Sequence, residues 1–524
     1  MVEQRVRAVV EVLAAKAPAG WSQAVLHCRA DRGGMSLAGG YLRADGSPGV
    51  SLPRFHPELR ALTAALSEDR GREALSLELR TRPSGEYRLV VCEDAVHRVT
   101  GSGSGFRVVL DPAARLSRPG ARQEAGTAGP AGDPELAVAR FRAYMERRAA
   151  VLGHPEKLPP PASAAAIDEA ERRLGRRLPE DLRALYALAD GDRTGPRPGY
   201  LFQGSTWLPL EHLVTASTAY GAAEQPWAGW GLEWDAVILD ADPAETVRRC
   251  GGHPGWLRFA SGEDGNYLAV DMAPARHGRP GQIIRTGRDH DGGPVHVADS
   301  VTSLLGRYLE LLDQGAYEKG EGHLRVREPG RARGHREIIG SVPEQVPEAL
   351  QAVHINDADG PVDLRPLTAA RGLRSIHLNR SSTADLTPLR ELPVESLRVT
   401  LDGGSGLAPL AGHPHLASLG LVTAGPVDLT PLRTVPRLHG LDLSEAGAPD
   451  PAVLSELHGL RYLSLTRSQW DTLLDAGGVP PGLAAARVTD TGSTLDEALA
   501  WSARLGLDTA HAFRLTGSVE TGGG

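Results

Sequence analysis

The sequence predicts a multidomain α+β chain with an N-terminal α+β domain, a central α+β sheet domain and a C-terminal repeat solenoid. Three observations carry this. A length of 524 residues is more than one hydrophobic core serves, so about three domains are expected. Helical and alternating apolar patterns are mixed through the N-terminal and central parts. The C-terminal part rhymes with itself every 21 or 22 residues.

Taken in order, the chain opens with a helix over Val2–Lys16, where Val6, Val9, Val10 and Leu13 recur at helical spacing before Pro18-Ala19-Gly20. Candidate strands follow at Trp21–Cys28 and Gly40–Arg43, then a helix near Pro57–Ser67. Ala74–Thr81 and Tyr87–Cys92 alternate across Pro83-Ser84-Gly85 as a hairpin, and Phe106–Leu110 is expected to close the same sheet. Residues 1–112 are thus a small domain. Its opening, a helix followed by PAGWSQAVLHCRA, is similar to the YezG-like family of bacterial toxin-immunity proteins. Gly101–Gly105 (GSGSG) lacks the strand-before, helix-after context and the Lys-Ser/Thr of a phosphate cradle, and reads as a turn. Residues 113–133 have linker composition: Gly, Pro, Ala and charge without periodicity.

The central domain spans 134–317. Its leading helix, Pro134–Leu152, carries Leu136, Phe141, Tyr144 and Met145 as a packing stripe. Ile167, Ala170 and Leu174 share a face of the next helix. Another begins at Leu178-Pro179-Glu180-Asp181, with two acids at the positive end of its dipole and Gly191 as the expected left-handed stop. Strands are expected at Asp235–Asp240, Trp256–Ala260, Tyr267–Asp271, Gln282–Ile284 and Val295–Ala298, closed by a helix over Val301–Leu312. Between two of them, Ser261–Asn266 (SGEDGN) supplies the Gly and Asn that accept positive φ in a hairpin loop.

Four segments of this stretch keep a recognisable order: LGRRLPEDLRALYALADGD, TWLPLEHL, GWLRFASGEDGNYLAVD and GQIIRTGRDHDGGPVHVADSVTSLL. Together they resemble the Smi/Knr family, the SUKH superfamily, over roughly 162–312. The order of helices and strands makes a sheet covered by helices on one face the economical arrangement. The resemblance implies a non-catalytic binding role, as in fungal cell-wall-assembly regulators and bacterial immunity proteins.

After a polar connection (318–340) the repeats begin. LRSIHL at Leu373, VESLRV at Val394, LASLGL at Leu416, LHGLDL at Leu438 and LRYLSL at Leu460 start 21, 22, 22 and 22 residues apart. Preceding the first four are DLRPL at Asp363, DLTPL at Asp385, GLAPL at Gly406 and DLTPL at Asp428. This is a leucine-rich repeat array over 341–490, similar to short internalin-type repeats, with 491–524 as cap and tail. One turn cannot bury its own Leu residues, so stacking makes the core, each buried Leu contributing roughly 1.5–3 kcal/mol. With Ile376 and Leu378 inward, Ser375, His377 and Asn379 are expected to point outward, placing His377, Arg398, Gly420, Asp442 and Ser464 in an exposed column.

Composition narrows the function classes. A net charge of −8 and a pI near 6.2 give no footprint for nucleic acid or an anionic membrane. Cys28, Cys92 and Cys250 are an odd number without paired spacing, and neither a signal peptide nor a membrane-spanning run is evident, so a cytoplasmic protein is expected. Asp289-His290-Asp291 with His296 and Asp299 is the one metal-like constellation, but a turn beside a helix cap explains it, and no metal or other cofactor is expected. The cluster Trp207, Trp227, Trp230, Trp234 and Trp256 fits core or rim packing better than a ligand cleft. No GxSxG, HExxH, CxxC or P-loop pattern is present, and the expectation is no enzyme.

The expected function is a protein that binds another protein. The main reading is immunity by capture of a toxin; the alternative is a regulatory scaffold in cell-wall assembly or growth control that docks partners on its repeats. Partner contact is placed at Trp256, Glu263, Asp264, Asn266 and Asp271, an acidic hairpin beside a Trp cleft. On the repeats it is placed at Ser375, His377, Arg398, Asp442 and Tyr462.

Overall fold

The computed structural model describes every residue except 32–33, 54, 72–73, 94–98, 103, 115–121, 194–199, 221–236, 291, 321–322, 328–335, 402–405, 491, 510 and 521–524. The chain is multidomain, with helices and several sheets.

The N-terminal elements are α1 (Val2–Ala15), β1 (Trp21–Asp31), β2 (Gly34–Arg43), β3 (Pro48–Ser51), α2 (His56–Arg70), β4 (Leu75–Thr81), β5 (Glu86–Glu93), β6 (Val99–Ser102) and β7 (Gly105–Val109). Val6, Val9, Val10 and Leu13 of α1 meet Leu59, Leu62 and Leu66 of α2 over the sheet residues Leu26, Leu77 and Leu89. Helical spacing puts the first two sets on single faces, and strand alternation presents the third to them.

In the centre are α3 (Pro134–Leu152), α4 (Ala164–Leu174), α5 (Glu180–Tyr186), β8 (Thr206–Trp207), α6 (Leu210–Tyr220), β9 (Trp256–Ser261), β10 (Asn266–Asp271), β11 (Gln282–Gly287), β12 (Val295–Ala298), α7 (Val301–Asp313), β13 (Tyr317–Gly320) and β14 (His323–Val326). Strands β12-β11-β10-β9-β8 form an antiparallel sheet in that order. Leu257, Phe259, Leu268, Val270 and Ile283 face a core with Phe141, Leu182 and Leu304 from the helices. On the other side Trp256, Ala269 and Ile284 pack with Ala241, Val247 and Cys250.

Three expectations change here. Residues 237–240 form no strand: Val237, Ile238 and Asp240 are buried, and the Leu239 N–H donates to Gly292 O at 2.7 Å, while β8 takes the sheet edge. Gly191 does not stop α5, which ends at Tyr186 with Ala187 as its cap; the Gly191 φ of 90° lets the backbone pass Trp207, whose carbonyl oxygen would lie 2.8 Å from any Cβ. The polar connection folds in part as the β13–β14 hairpin, with Leu324 and Val326 in the central core.

The segment read as linker is held as a strap where it is described. Gln123 O accepts from Arg248 Nη1 at 2.8 Å, Gln123 Oε1 from the Arg249 N–H at 2.7 Å, and Ala125 bridges to Ala275.

The repeats contribute β15 (Glu337–Gly340), β16 (Ala352–Asn356), β17 (Ser375–Thr383), β18 (Ser396–Leu401), β19 (Ser418–Thr423), β20 (Gly440–Glu445), α8 (Pro451–Ser455), β21 (Tyr462–Thr466), α9 (Arg467–Asp475), β22 (Ala485–Thr489), α10 (Leu495–Arg504) and β23 (Phe513–Ser518). β15 through β22 are parallel neighbours in sequence order, aligning Ile376, Leu397, Leu419, Leu441, Leu463 and Ala486 across the ladder. The DLxPL boxes are 3₁₀ turns, for example Thr387–Glu391 and Thr430–Thr434. Asp385 and Asp428 start these two by accepting the Thr387 and Thr430 N–H groups at 2.8 and 2.9 Å.

Phe106–Leu110 does not close the N-terminal sheet. β7 pairs antiparallel with β22, β6 follows it, and Val99, Phe106 and Val108 enter the repeat core. In exchange, β23 pairs antiparallel with β5 and completes the N-terminal sheet. Gly105 permits the first joint: its φ is +133°, and a Cβ there would lie 2.1 Å from Val488 O. Residues Met1–Arg115 and Glu337–Gly524 therefore belong to one compact unit, and Leu116–Gln225 with Val237–Arg336 to another.

Candidate functional site

On the repeats, a parallel ladder holds equivalent residues of neighbouring turns one strand spacing apart, so polar side chains on the outer face touch each other. The Asn379 amide donates to Asn356 Oδ1 at 2.8 Å. His377 packs edge-to-face on His354 with 4.8 Å between centroids, and its Nε2 lies 3.2 Å from Ser396 Oγ. The expected exposed column is consequently not all exposed. Ser375, His377, Ser464 and Tyr462 are buried, while Arg398 and Asp442 are half-buried. Burial, with His354 and Arg398 nearby, pushes the His377 imidazole down to about 4, so it is neutral near pH 7.

At the C-terminal ends of these strands lies a cavity of about 590 Å³ lined by Leu378, Asn379, Arg380, Arg398, Thr400 and Glu445, among others. Arg398 Nη2 donates to Glu445 Oε1 at 2.8 Å, reaching past the intervening strand β19, and Arg380 chelates Asp357. These pairs fix a polar floor of both signs. Sequence reasoning included Arg398 but missed Arg380 and Glu445, which lie just past the strand alternation used to find the column.

In the central unit, the expected acidic cluster is divided between the two ends of β10. Glu263, at φ 62°, forms an ion pair with Arg193, and Asp264 Oδ1 accepts the Asn266 N–H at 2.9 Å. Asn266 is bound to Asp289 in both directions, donating to Oδ2 at 2.7 Å and accepting the Asp289 N–H at 3.0 Å. Glu263 and Asp264 are exposed, and these bonds make the turn rigid. Asp271 lies at the far end of the strand, fully buried, accepting the Ala273 N–H at 2.8 Å and Gln282 Nε2 at 2.9 Å. Burial raises its carboxyl to about 6. Trp256, opposite Asp271 in register, is a core residue at 1% exposure and no part of a rim. Trp207 is also buried; Trp227, Trp230 and Trp234 lie outside the described residues.

The histidine–carboxylate loop is likewise dispersed. Asp289 serves Asn266, His296 lies 3.4 Å from Asp299, and Ser300 with Ser303 forms a capping box on α7; Asp291 lies outside the described residues. Among the described residues, no group of three His, Cys, Asp or Glu is placed to hold a metal ion, and no helix is long and apolar enough to cross a membrane.

Residues 161–307, from just before α4 into α7, match the SMI1 / KNR4 family (SUKH-1). The centre of the chain is an SMI1/KNR4 domain. Curated relatives are similar to part of the chain as well. The cell wall biosynthesis/cell cycle regulator smi1 of Schizosaccharomyces pombe is 32% identical over 161 residues, 30% of this chain and 32% of that protein. A glucan synthesis regulatory protein of Neurospora crassa is 28% identical over 191 residues, 31% of this chain and 36% of that one. The chain thus spans about a third of the length of the curated relatives it matches. A solved internalin of Listeria monocytogenes aligns at 18% identity and TM-score 0.17, over 28% of this chain and 58% of that one.

Proposed function

We propose that this protein is a non-catalytic regulatory scaffold that binds protein partners. Its leucine-rich repeats form a solenoid that serves as the principal docking surface, with the SMI1/KNR4 domain as a second module. The observation that carries the reading is the aligned repeat ladder, whose side chains are locked to one another before any partner arrives. Such preorganisation lowers the ordering cost of association. Arg398, Arg380 and Glu445, which line the 590 Å³ cavity, are the proposed contacts, together with Asp442, which shares a smaller neighbouring cleft with Arg398. Ser375, His377 and Tyr462 support them from beneath.

The names of the relatives favour regulation of cell-wall or glucan synthesis over toxin immunity, which keeps only its coarser half, the binding of a protein. In the central domain, Glu263, Asp264 and Asn266 are proposed as a secondary contact, whereas Trp256 and Asp271 act as core.

The test is co-purification with the full chain, repeated with Arg398→Glu and Arg380→Glu. A cell-wall synthesis or growth-control protein, retained by wild type and lost by both variants at unchanged circular dichroism, supports the scaffold. A secreted toxin domain captured in its place returns the immunity reading. Turnover of a substrate by the purified chain would overturn both.

A further inference from the structure

A second feature of the SMI1/KNR4 domain answers to a different ligand chemistry. Where the chain enters β9, nitrogens of two side chains, Arg176 and His253, converge on Gly255, and the charge of Arg248 also acts on His253. Arg176 follows the left-handed Gly175 that ends α4, His253 lies two residues before Gly255, and Arg248 lies further back in the same loop before β9. A Cβ at Gly255 would meet His253 Nδ1 at 2.9 Å and Arg176 Nη1 at 3.1 Å, so these two nitrogens lie no more than about 6 Å apart. Gly255 is the residue that leaves room for them.

The orientation of the ring is fixed. The Gly255 N–H donates to His253 Nδ1 at 2.9 Å, so a neutral imidazole carries its proton on Nε2. Arg248 is held by carbonyls, with Nε on Ala273 O at 2.9 Å and Nη1 on Gln123 O at 2.8 Å. Arg176 is half-buried, its Nε has no hydrogen-bond partner, and no carboxylate lies within ion-pair range of it among the described residues. The nearby carboxylates are engaged elsewhere: Glu171 with Arg183 and the Leu178 N–H, Asp271 with Gln282 and Ala273. Burial first, and then the charges of Arg248 and Arg176, lower the His253 pKa.

We propose that the notch formed by Arg176 and His253 at Gly255, with the charge of Arg248 near it, is an oxyanion site that takes a phosphate group. A guanidinium presents paired donors matched to two phosphate oxygens, an imidazole Nε2–H adds a third, and a phosphate near its dianionic form suits two guanidinium charges. The source is either free phosphate or a phosphorylated residue on a protein.

Calorimetric titration of the full chain at low ionic strength tests this, using inorganic phosphate, a phosphoserine peptide, and acetate as the monoanion control. Saturable phosphate binding, weakened about tenfold or more in Arg176→Gln and preserved in Arg177→Gln, is the expected result. Arg177 is the control because it is exposed and faces Glu171 at 3.8 Å. Melting curves without ligand establish that both variants fold, and phosphate should raise the wild-type midpoint more than that of Arg176→Gln. Tighter binding of the peptide than of free phosphate assigns the source to a protein partner; the reverse assigns it to the free ion. No saturable binding of either, acetate equal to phosphate, or equal losses in both variants would overturn the site. None of these outcomes involves the repeat cavity, so this site and the scaffold reading fail separately.

Discussion

Arg148 offers the sharpest test of how the leading helix is joined to the SMI1/KNR4 domain. It sits on α3, outside the family match, at 0% exposure. It donates Nε to Glu156 Oε2 at 2.5 Å, Nη2 to Glu156 Oε1 at 2.7 Å, and Nη1 to both Leu324 O at 2.9 Å and the Tyr144 hydroxyl at 3.1 Å. Tyr144 in turn donates to Leu201 O at 2.9 Å, and burial pushes its phenol up to about 12. One guanidinium thus ties α3, the loop after it, β14 and the segment before β8. Arg148→Ala would leave a carboxylate, a hydroxyl and a carbonyl without their donor. Breaking a buried pair this way costs about 3–5 kcal/mol. Because Glu156 keeps 15% exposure and can turn partly to water, the lower end is expected. Hydrogen-exchange mass spectrometry should show faster exchange in peptides covering α3 and β14. The double variant Arg148→Met/Glu156→Leu should recover most of the loss, since it removes both charges together. A loss under about 1 kcal/mol, typical of a solvated surface pair, would refute this account.

Further outcomes follow from the same structure. Asp271, raised from 3.8 to about 6, adds stability that is fully present below about 4 and lost as pH rises through 6, on the order of 3 kcal/mol. Thermal unfolding followed from pH 4 to pH 7 should show a shallower slope in Asp271→Asn. Glu263 holds a positive φ that glycine adopts freely, so Glu263→Gly should be neutral or stabilising by up to about 1 kcal/mol in urea unfolding despite losing Arg193. Gly105→Ala should unhook β7 from β22, costing about 2 kcal/mol or more and deprotecting the amides of Ala485–Thr489 in hydrogen exchange.

Much of the fold was legible because its signals are local. The helix Pro134–Leu152 agrees residue for residue with the sequence reading, and the repeat strands stand where their Leu period places them. The two joints were not legible. Phe106 and Phe513 lie in ordinary alternating strands, and nothing local to either says that its partner is Val488 or Val91. At the candidate sites, alternation identified the column but not how closely its members cover one another, which buries His377 and Ser375. Asp271 looked like part of an acidic surface because its partner Gln282 becomes visible only once β10 and β11 are in register. Arg176 looked like one more charge in LGRRL, and its setting depends on Gly255, far along the chain.

The exchange of strands has a consequence for how the polypeptide matures. β5 emerges from the ribosome more than four hundred residues before β23, the strand that covers its edge. Throughout that interval the nascent first sheet exposes unpaired amides and carbonyls, the kind of border that recruits stray strands. Synthesis of the central unit and then of the repeats fills this vulnerable period, so chaperone dependence should track the time taken to translate both.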